Sequence, residues 1–271
     1  MGGLKPPYKR LYNQAAGITA HSECVCIQLR QSPFAGISIF SEIHRATRFP
    51  QRRMPMTNDT ISAFQKIHEA IFDCTACSDK GYFVIAVQPA WDPKKFQRTT
   101  PQRWGMLIGQ APGLSEQQSG KAFQGRAGRG WEKWLLEAGF SLEQIRELFF
   151  KTSITKCYPG QLHGKDRRPS QAEIDLCAHF LTEQIAVVQP LVLVPMGKMA
   201  IQWFFPEVST LEEVIGEQLS WQDAGKTYTT ICLPHASPAS AWWKNPANQP
   251  RIKKASGLLY HLWCETAGKR N

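Results

Sequence analysis

Four of the eight cysteines are spaced as a metal-ligand set. Cys74 and Cys77 form a C-x-x-C pair behind a helical pattern, Cys157 closes an apolar run, and Cys177 follows after 19 intervening residues. Four thiolates serve either a 4Fe–4S cluster or a structural zinc ion. Zinc ribbons usually draw on two C-x-x-C knuckles; here the second pair is spread wide, which favours the larger cluster. Zinc, or core cysteines without any ligand, are the alternatives. Cys24 and Cys26 stand too close together for routine bridging, while Cys232 and Cys264 sit in apolar contexts that suit small core residues. This usage points to metal or redox roles rather than disulfides.

Elements that could position such ligands follow from periodicity. Asp59 caps a helix expected to reach about Asp73, with Ile61, Phe64, Ile67, Ile71 and Phe72 on one face. Apolar runs at 104–109, 148–157, 190–197 and 227–235 read as strands. Helical patterns occupy 128–139, 170–188 and 197–205, and a last helix runs roughly from Pro250 to Thr266. Alternation of this kind predicts an α/β fold, a three-layer α/β/α sandwich with a mainly parallel central sheet. Ligands of such sheets bind at the carboxyl ends of strands, here the loops after 109, 157 and 235.

The chain has 271 residues, 42% of them hydrophobic, enough for a sizeable core. No apolar run approaches the length of a membrane span, and the first residues lack the apolar stretch of a secretory signal. A soluble, cytoplasmic, monomeric protein without a membrane partner is the expectation. Residues 1–57 carry scattered Pro, Arg and Ser and are expected to be a poorly ordered basic extension, with Met54 or Met56 a candidate true start; 58–271 form the folded domain. The net charge of +10, with nine Trp and 14 Phe, permits a polyanionic partner.

One stretch carries a resemblance. Gly109-Gln110-Ala111-Pro112-Gly113, followed by Lys121-Ala122-Phe123-Gln124-Gly125-Arg126-Ala127-Gly128, resembles the G-E-A-P-G and G-R-P-F-V-G-R-A-G segments of the iron–sulfur, or family 4, uracil-DNA glycosylases. Ile154-Thr155-Lys156-Cys157-Tyr158-Pro159 is similar to the family's V-V-K-C-R-P, and His235-Ala236-Ser237-Pro238 stands where the superfamily has H-P-S. The resemblance covers about residues 70 to 264, with all four cysteines in family order. It implies a structural 4Fe–4S cluster on Cys74, Cys77, Cys157 and Cys177. It also implies a monofunctional DNA-repair enzyme that flips uracil out of DNA and hydrolyses its N-glycosidic bond.

In that reading His235 stabilises the departing uracil anion, as an oxyanion hole would. Phe123 stacks on the base, and Gln110 orients water or bonds the base. Ser153 reads the base edge, and Ser237 holds a phosphate. Trp242 or Trp243 could fill the gap left by the flipped nucleotide, with Lys244, Arg251, Lys253 and Lys254 on phosphates.

Three positions depart from the family. Gln110 replaces a Glu, Ser153 replaces an Asn that offers donor and acceptor together, and Ala239 is too small to act as a wedge. Specificity for other deaminated bases such as hypoxanthine or xanthine is therefore one alternative. A cluster-bearing DNA-binding protein with weak catalysis is another. Gln161–Asp166, with His163, reads as a surface loop inserted near the cysteines.

Overall fold

The computed structural model describes residues 58–87, 104–238 and 240–268, all within one compact unit. The expectations for residues 1–57, and for Ala239, lie outside the described residues. At its centre is a five-stranded sheet built from β1 (Gly105–Gly109), β2 (Phe149–Ser153), β3 (Val192–Pro195), β4 (Gln218–Asp223) and β5 (Lys226–Ile231). The strands lie in the order β2-β1-β3-β5-β4. Neighbours are parallel except at the β4 edge, where β4 pairs antiparallel with β5. The mainly parallel sheet is as expected.

Every residue of β1 and β3 is buried, as a strand covered on both faces requires. Side chains alternate between those faces. Leu107, Val192 and Val194 meet Trp131 and Leu135 of α3 (Arg126–Ala138) and Leu259 of α7 (Gln249–Gly268). Met106, Ile108 and Leu193 point the other way. There they meet Phe64 of α1 (Asn58–Phe72), Leu181 and Ile185 of α5 (Gln171–Val188), and Phe204 of α6 (Lys198–Phe204). This is the three-layer sandwich.

Two further helices, α2 (Leu114–Ser119) and α4 (Leu142–Leu148), complete the connections. Ser141 caps α4 by accepting from Gln144 N, and Ser170 caps α5 by accepting from Glu173 N. Residues between the first helix and the sheet form a short helical turn at Ala76–Asp79 and a two-residue strand, Ile85–Ala86. That strand pairs with Cys157–Tyr158, so the C-x-x-C segment folds back beside the third cysteine. Beyond it, the expected surface loop takes the form of a tight antiparallel hairpin, Gln161–Leu162 paired with Lys165–Asp166. No described helix is long and apolar enough to cross a membrane.

Candidate functional site

The carboxyl ends of β1 and β2 meet in register, Gly109 opposite Ser153. Gln110 and Ser153 are thereby carried to one edge of the sheet. The backbone knits the two strand ends together, Ile154 N donating to Gly109 O at 2.9 Å and Thr155 N to Gln110 O at 3.3 Å. Ser153 is buried, and its hydroxyl donates to Thr155 O at 2.6 Å. Its proton is committed to the backbone, so toward a ligand Ser153 offers lone pairs only.

Phe123 reaches the same edge by an unusual route. Its φ of 57° is left-handed, and its ring lies across Gly109, where an added Cβ would come within 3.0 Å of Cζ. Gly128, on the first turn of α3, packs against the Phe123 carbonyl so closely that no side chain fits. Gly109 and Gly128, one from each recognised segment, thus serve one purpose, to let this ring lie at the strand end. Glu116 of α2 joins the segments: Oε2 accepts from Gly113 N at 3.1 Å and Oε1 from Gly125 N at 2.8 Å. Sequence reasoning missed Glu116, although Gly113 and Glu116 stand at the N-cap and N3 spacing of a helix start.

His235 follows β5, its Cβ 3.2 Å from where a Cβ on Gly197 would be, so it sits over the end of β3. Its Nδ1 lies 3.0 Å from Ser237 Oγ and accepts from Ser237 N at 3.4 Å. With Nδ1 as acceptor, the ring proton resides on Nε2. Burial first, and the Arg168 charge second, hold the imidazole pKa below its ordinary value, so the ring is neutral at pH 7. The carboxyl ends of adjacent strands thus bring Gln110, Phe123, Ser153 and His235 to one side of the sheet.

Cys74, Cys77, Cys157 and Cys177 line a single cavity together with Ile71, Pro169 and Phe180. Burial, then repulsion from Cys177, Cys77 and Cys74, pushes the Cys157 thiol up to about 12. Burial likewise raises Cys77 and Cys177. Such a group of thiols fits a cationic partner, because a metal core removes the repulsion that keeps them protonated. Among the described residues no three or more His, Cys, Asp or Glu side chains converge tightly enough for one ion.

The rim of the cavity is fixed by Glu173, buried and gripped by Arg167 at 2.6 and 2.8 Å. That guanidinium, aided by Ser170, holds the Glu173 carboxyl down at about 2 against its burial.

Lys156 connects the two regions. Its backbone N–H donates to Cys177 Sγ at 3.3 Å. Burial lowers its side-chain pKa to about 7, and in the charged form Nζ donates to Thr152 Oγ1 at 2.9 Å, Ser153 O at 2.6 Å and Gln184 Oε1 at 2.8 Å. Gln184 Nε2 in turn faces His68 Nε2 of α1 at 3.2 Å.

The side chains expected to meet DNA are arranged differently. Trp242 Nε1 donates to Glu212, and Trp243 Nε1 to Ser237 O at 2.8 Å. Both indoles pack against the core, Trp243 edge-on to Trp134. Arg251 donates to Glu212 O at 2.8 Å, and Lys254 pairs with Glu217 at 2.7 Å. Lys244 and Lys253 are exposed. Ser237 is occupied with His235. The wedge and phosphate roles read for Trp242, Trp243 and Arg251 therefore fall on side chains already engaged within the protein.

Polar residues ranged along the carboxyl edge of a mainly parallel sheet place this among the α/β proteins, a class whose ligands occupy the crevice beyond the strand ends. The chain belongs to the uracil DNA glycosylase superfamily, whose family model matches residues 96–256, more than half its length. It is 28% identical over 191 residues to the Type-4 uracil-DNA glycosylase of Sulfurisphaera tokodaii, covering 69% of this chain and 78% of that protein. The Type-4 uracil-DNA glycosylase of Saccharolobus solfataricus is 31% identical over 146 residues, 52% of this chain and 63% of that protein. That of Archaeoglobus fulgidus is 28% identical over 169 residues, 61% and 77% respectively.

Proposed function

We propose that this protein is a monofunctional uracil-DNA glycosylase that repairs DNA by hydrolysing the bond between uracil N1 and deoxyribose C1′. The observation that carries the reading is His235, a neutral imidazole whose Nδ1 accepts from Ser237 and leaves Nε2–H as a donor. As the bond breaks, its electron pair goes to uracil and positive charge builds on the sugar. A neutral donor at O2 stabilises the anion in proportion to the charge that develops, so its effect is greatest in the transition state. Phe123 stacks on the flipped base, and Ser153 accepts from its edge. Gln110 has no acidic function, so it orients the attacking water through its amide, and the water's proton passes to solvent.

The four cysteines hold a 4Fe–4S cluster in this reading. A mononuclear zinc site would draw four sulfurs to within roughly 3.8 Å of one another, given Zn–S bonds of about 2.3 Å. The four thiols line one cavity, and their spacing along the chain, one C-x-x-C pair and two widely separated cysteines, supports the larger group. When bound, the cluster supplies a structural cross-link between the C-x-x-C segment, the end of β2 and α5.

Uracil-containing single- and double-stranded oligonucleotides, incubated with the protein and then treated with alkali, test the activity. Strand breaks at uracil are expected, and their absence would defeat the reading. His235→Ala should slow single-turnover excision by at least roughly tenfold, about 1.4 kcal/mol in the transition state. An unchanged rate would remove His235 from the mechanism.

One observation favours a second reading, relaxed base specificity. Because the Ser153 proton is spent on Thr155 O, Ser153 cannot reproduce the donor half of an Asn amide. Parallel assays on hypoxanthine, xanthine and cytosine would expose it.

A further inference from the structure

Four large apolar side chains stand most exposed among the described residues, and two of them, Phe83 and Leu162, flank one hairpin. Leu162 lies 60% exposed at the end of the Gln161–Leu162 strand, followed by a two-residue turn in which His163 and Gly164 both have left-handed φ, 51° and 71°. Such a turn matches the twist of paired strands and makes a stiff, narrow tip. An exposed apolar tip does not stabilise the folded chain, so it invites a partner.

The base of the hairpin is held firmly. Arg167 N donates to Gly160 O at 3.0 Å, and the Arg167 guanidinium bridges Glu173 and Phe83 O. Asp166 ties it to the candidate pocket. One carboxylate oxygen accepts from Leu114 N at 3.2 Å, immediately after the Gln110 loop, and the other from the buried Tyr158 hydroxyl at 3.1 Å. A Cβ on Gly113 would lie 2.7 Å from Asp166 Oδ2, so hairpin and pocket loop are in direct contact. Exposed cations stand in both segments: Lys165 in the hairpin and Arg168 just after it, and Lys121, Arg126 and Arg129 in the stretch that follows the pocket loop. Arg168 also lies close enough to His235 to depress its basicity.

We propose that the hairpin Gln161–Asp166 is the element that enters the DNA duplex, with Leu162 as the wedge that fills the space vacated by the flipped nucleotide. The inference rests on the glycosylase reading. Flipping leaves an unstacked gap between neighbouring base pairs, and an apolar side chain on a rigid mount offsets part of the lost stacking. Trp242 and Trp243 are already engaged with Glu212 and with Ser237 O, whereas Leu162 is presented outward on the hairpin that Asp166 ties to the pocket loop. Lys165 and Arg168 then meet phosphates on either side of the gap, which a polyanion favours and a protein partner without acidic groups would not.

Excision of uracil is measured with wild type, Leu162→Ala and Leu162→Phe on matched single- and double-stranded oligonucleotides. In single strands there is no stack to hold open, so Leu162→Ala should leave that rate within about twofold of wild type. On duplex the loss should be at least about tenfold, with Leu162→Phe retaining most of the activity. Equal rates for wild type and Leu162→Ala on duplex would overturn the proposal, and so would an equal loss on both substrates. Inactivity of wild type on both substrates would instead overturn the glycosylase reading.

Discussion

Glu116→Ala is the perturbation that most directly tests how the pocket is assembled. One carboxylate fastens the Gln110 loop, through Gly113 N, to the turn that carries Phe123, through Gly125 N. Each hydrogen bond to a charged acceptor is worth about 1.5–3 kcal/mol. Glu116 is half-buried, so water recovers part of that sum in the alanine variant, and roughly half, about 1.5–3 kcal/mol, should be lost. Phe123 bears the consequence, because its left-handed backbone is held only by what packs around it. If the loss is realised at the stacked base, kcat/KM for uracil excision falls roughly ten- to 150-fold. Glu116→Gln keeps one acceptor and should fall between wild type and alanine. The assay is single-turnover excision, run as a double-mutant cycle with Phe123→Ala. Coupling is expected, with the double variant little worse than Phe123→Ala alone. A Glu116→Ala protein that melts earlier but excises uracil at the wild-type rate would refute the reasoning, and so would strict additivity.

Two further predictions concern stability and the cysteines. His68 is buried and held neutral, chiefly by burial and then by the Lys156 charge, with its pKa lowered to about 4 from 6.5. Below pH 6.5 the unfolded chain takes up a proton that the folded one refuses, so this contribution is intact above pH 6.5 and declines as pH falls toward 4. Between pH 7 and pH 5 wild type should lose about 2 kcal/mol more than His68→Gln in urea unfolding, and parallel pH slopes would contradict the assignment. The purified protein should absorb near roughly 400 nm with iron and sulfide in equal amounts, and Cys177→Ser should bleach it; a colourless wild type carrying one zinc would reverse the cluster assignment.

The buried parts of the fold were legible in the sequence and the exposed parts were not. β1 and β3 announce themselves because both faces are covered and every residue is apolar or small. The edge strand β4 went unread, since Gln218–Asp223 alternates exposed with half-buried positions and carries Gln, Ser and Asp. The four cysteines were singled out by their spacing, and Phe123 and His235 by motif register, both of which report position along the chain. Register says nothing about hydrogen bonds. It missed that Ser153 turns its proton inward and that Glu212 engages both Trp242 and Arg251. The same limit applied to Gln161–Asp166, where a His-Gly turn signal was present but its pairing with the pocket loop depends on Asp166, 52 residues from Leu114.

Lys156 links the cysteine cavity to the end of β2. Its backbone touches the Cys177 sulfur while its side chain holds Ser153 O, Thr152 and Gln184, so the last turn of β2 is gripped from the cysteine side and from α5 together. Three acceptors take all three ammonium protons, which leaves the side chain no second arrangement of equal energy. Ser153 therefore stands where α5 and the cysteine side put it, and the strand end cannot shift toward a ligand without breaking these buried hydrogen bonds. Gln110 is held among the described residues through its backbone, its main-chain oxygen accepting from Thr155 N and Oγ1, and the residue is half-exposed. The rigid side of the pocket is thus the side that would read the base, and the adaptable side is the one that would position water. That division is what a glycosylase with altered base contacts would require, because specificity tolerates little movement at the base edge, whereas placing a water molecule demands less.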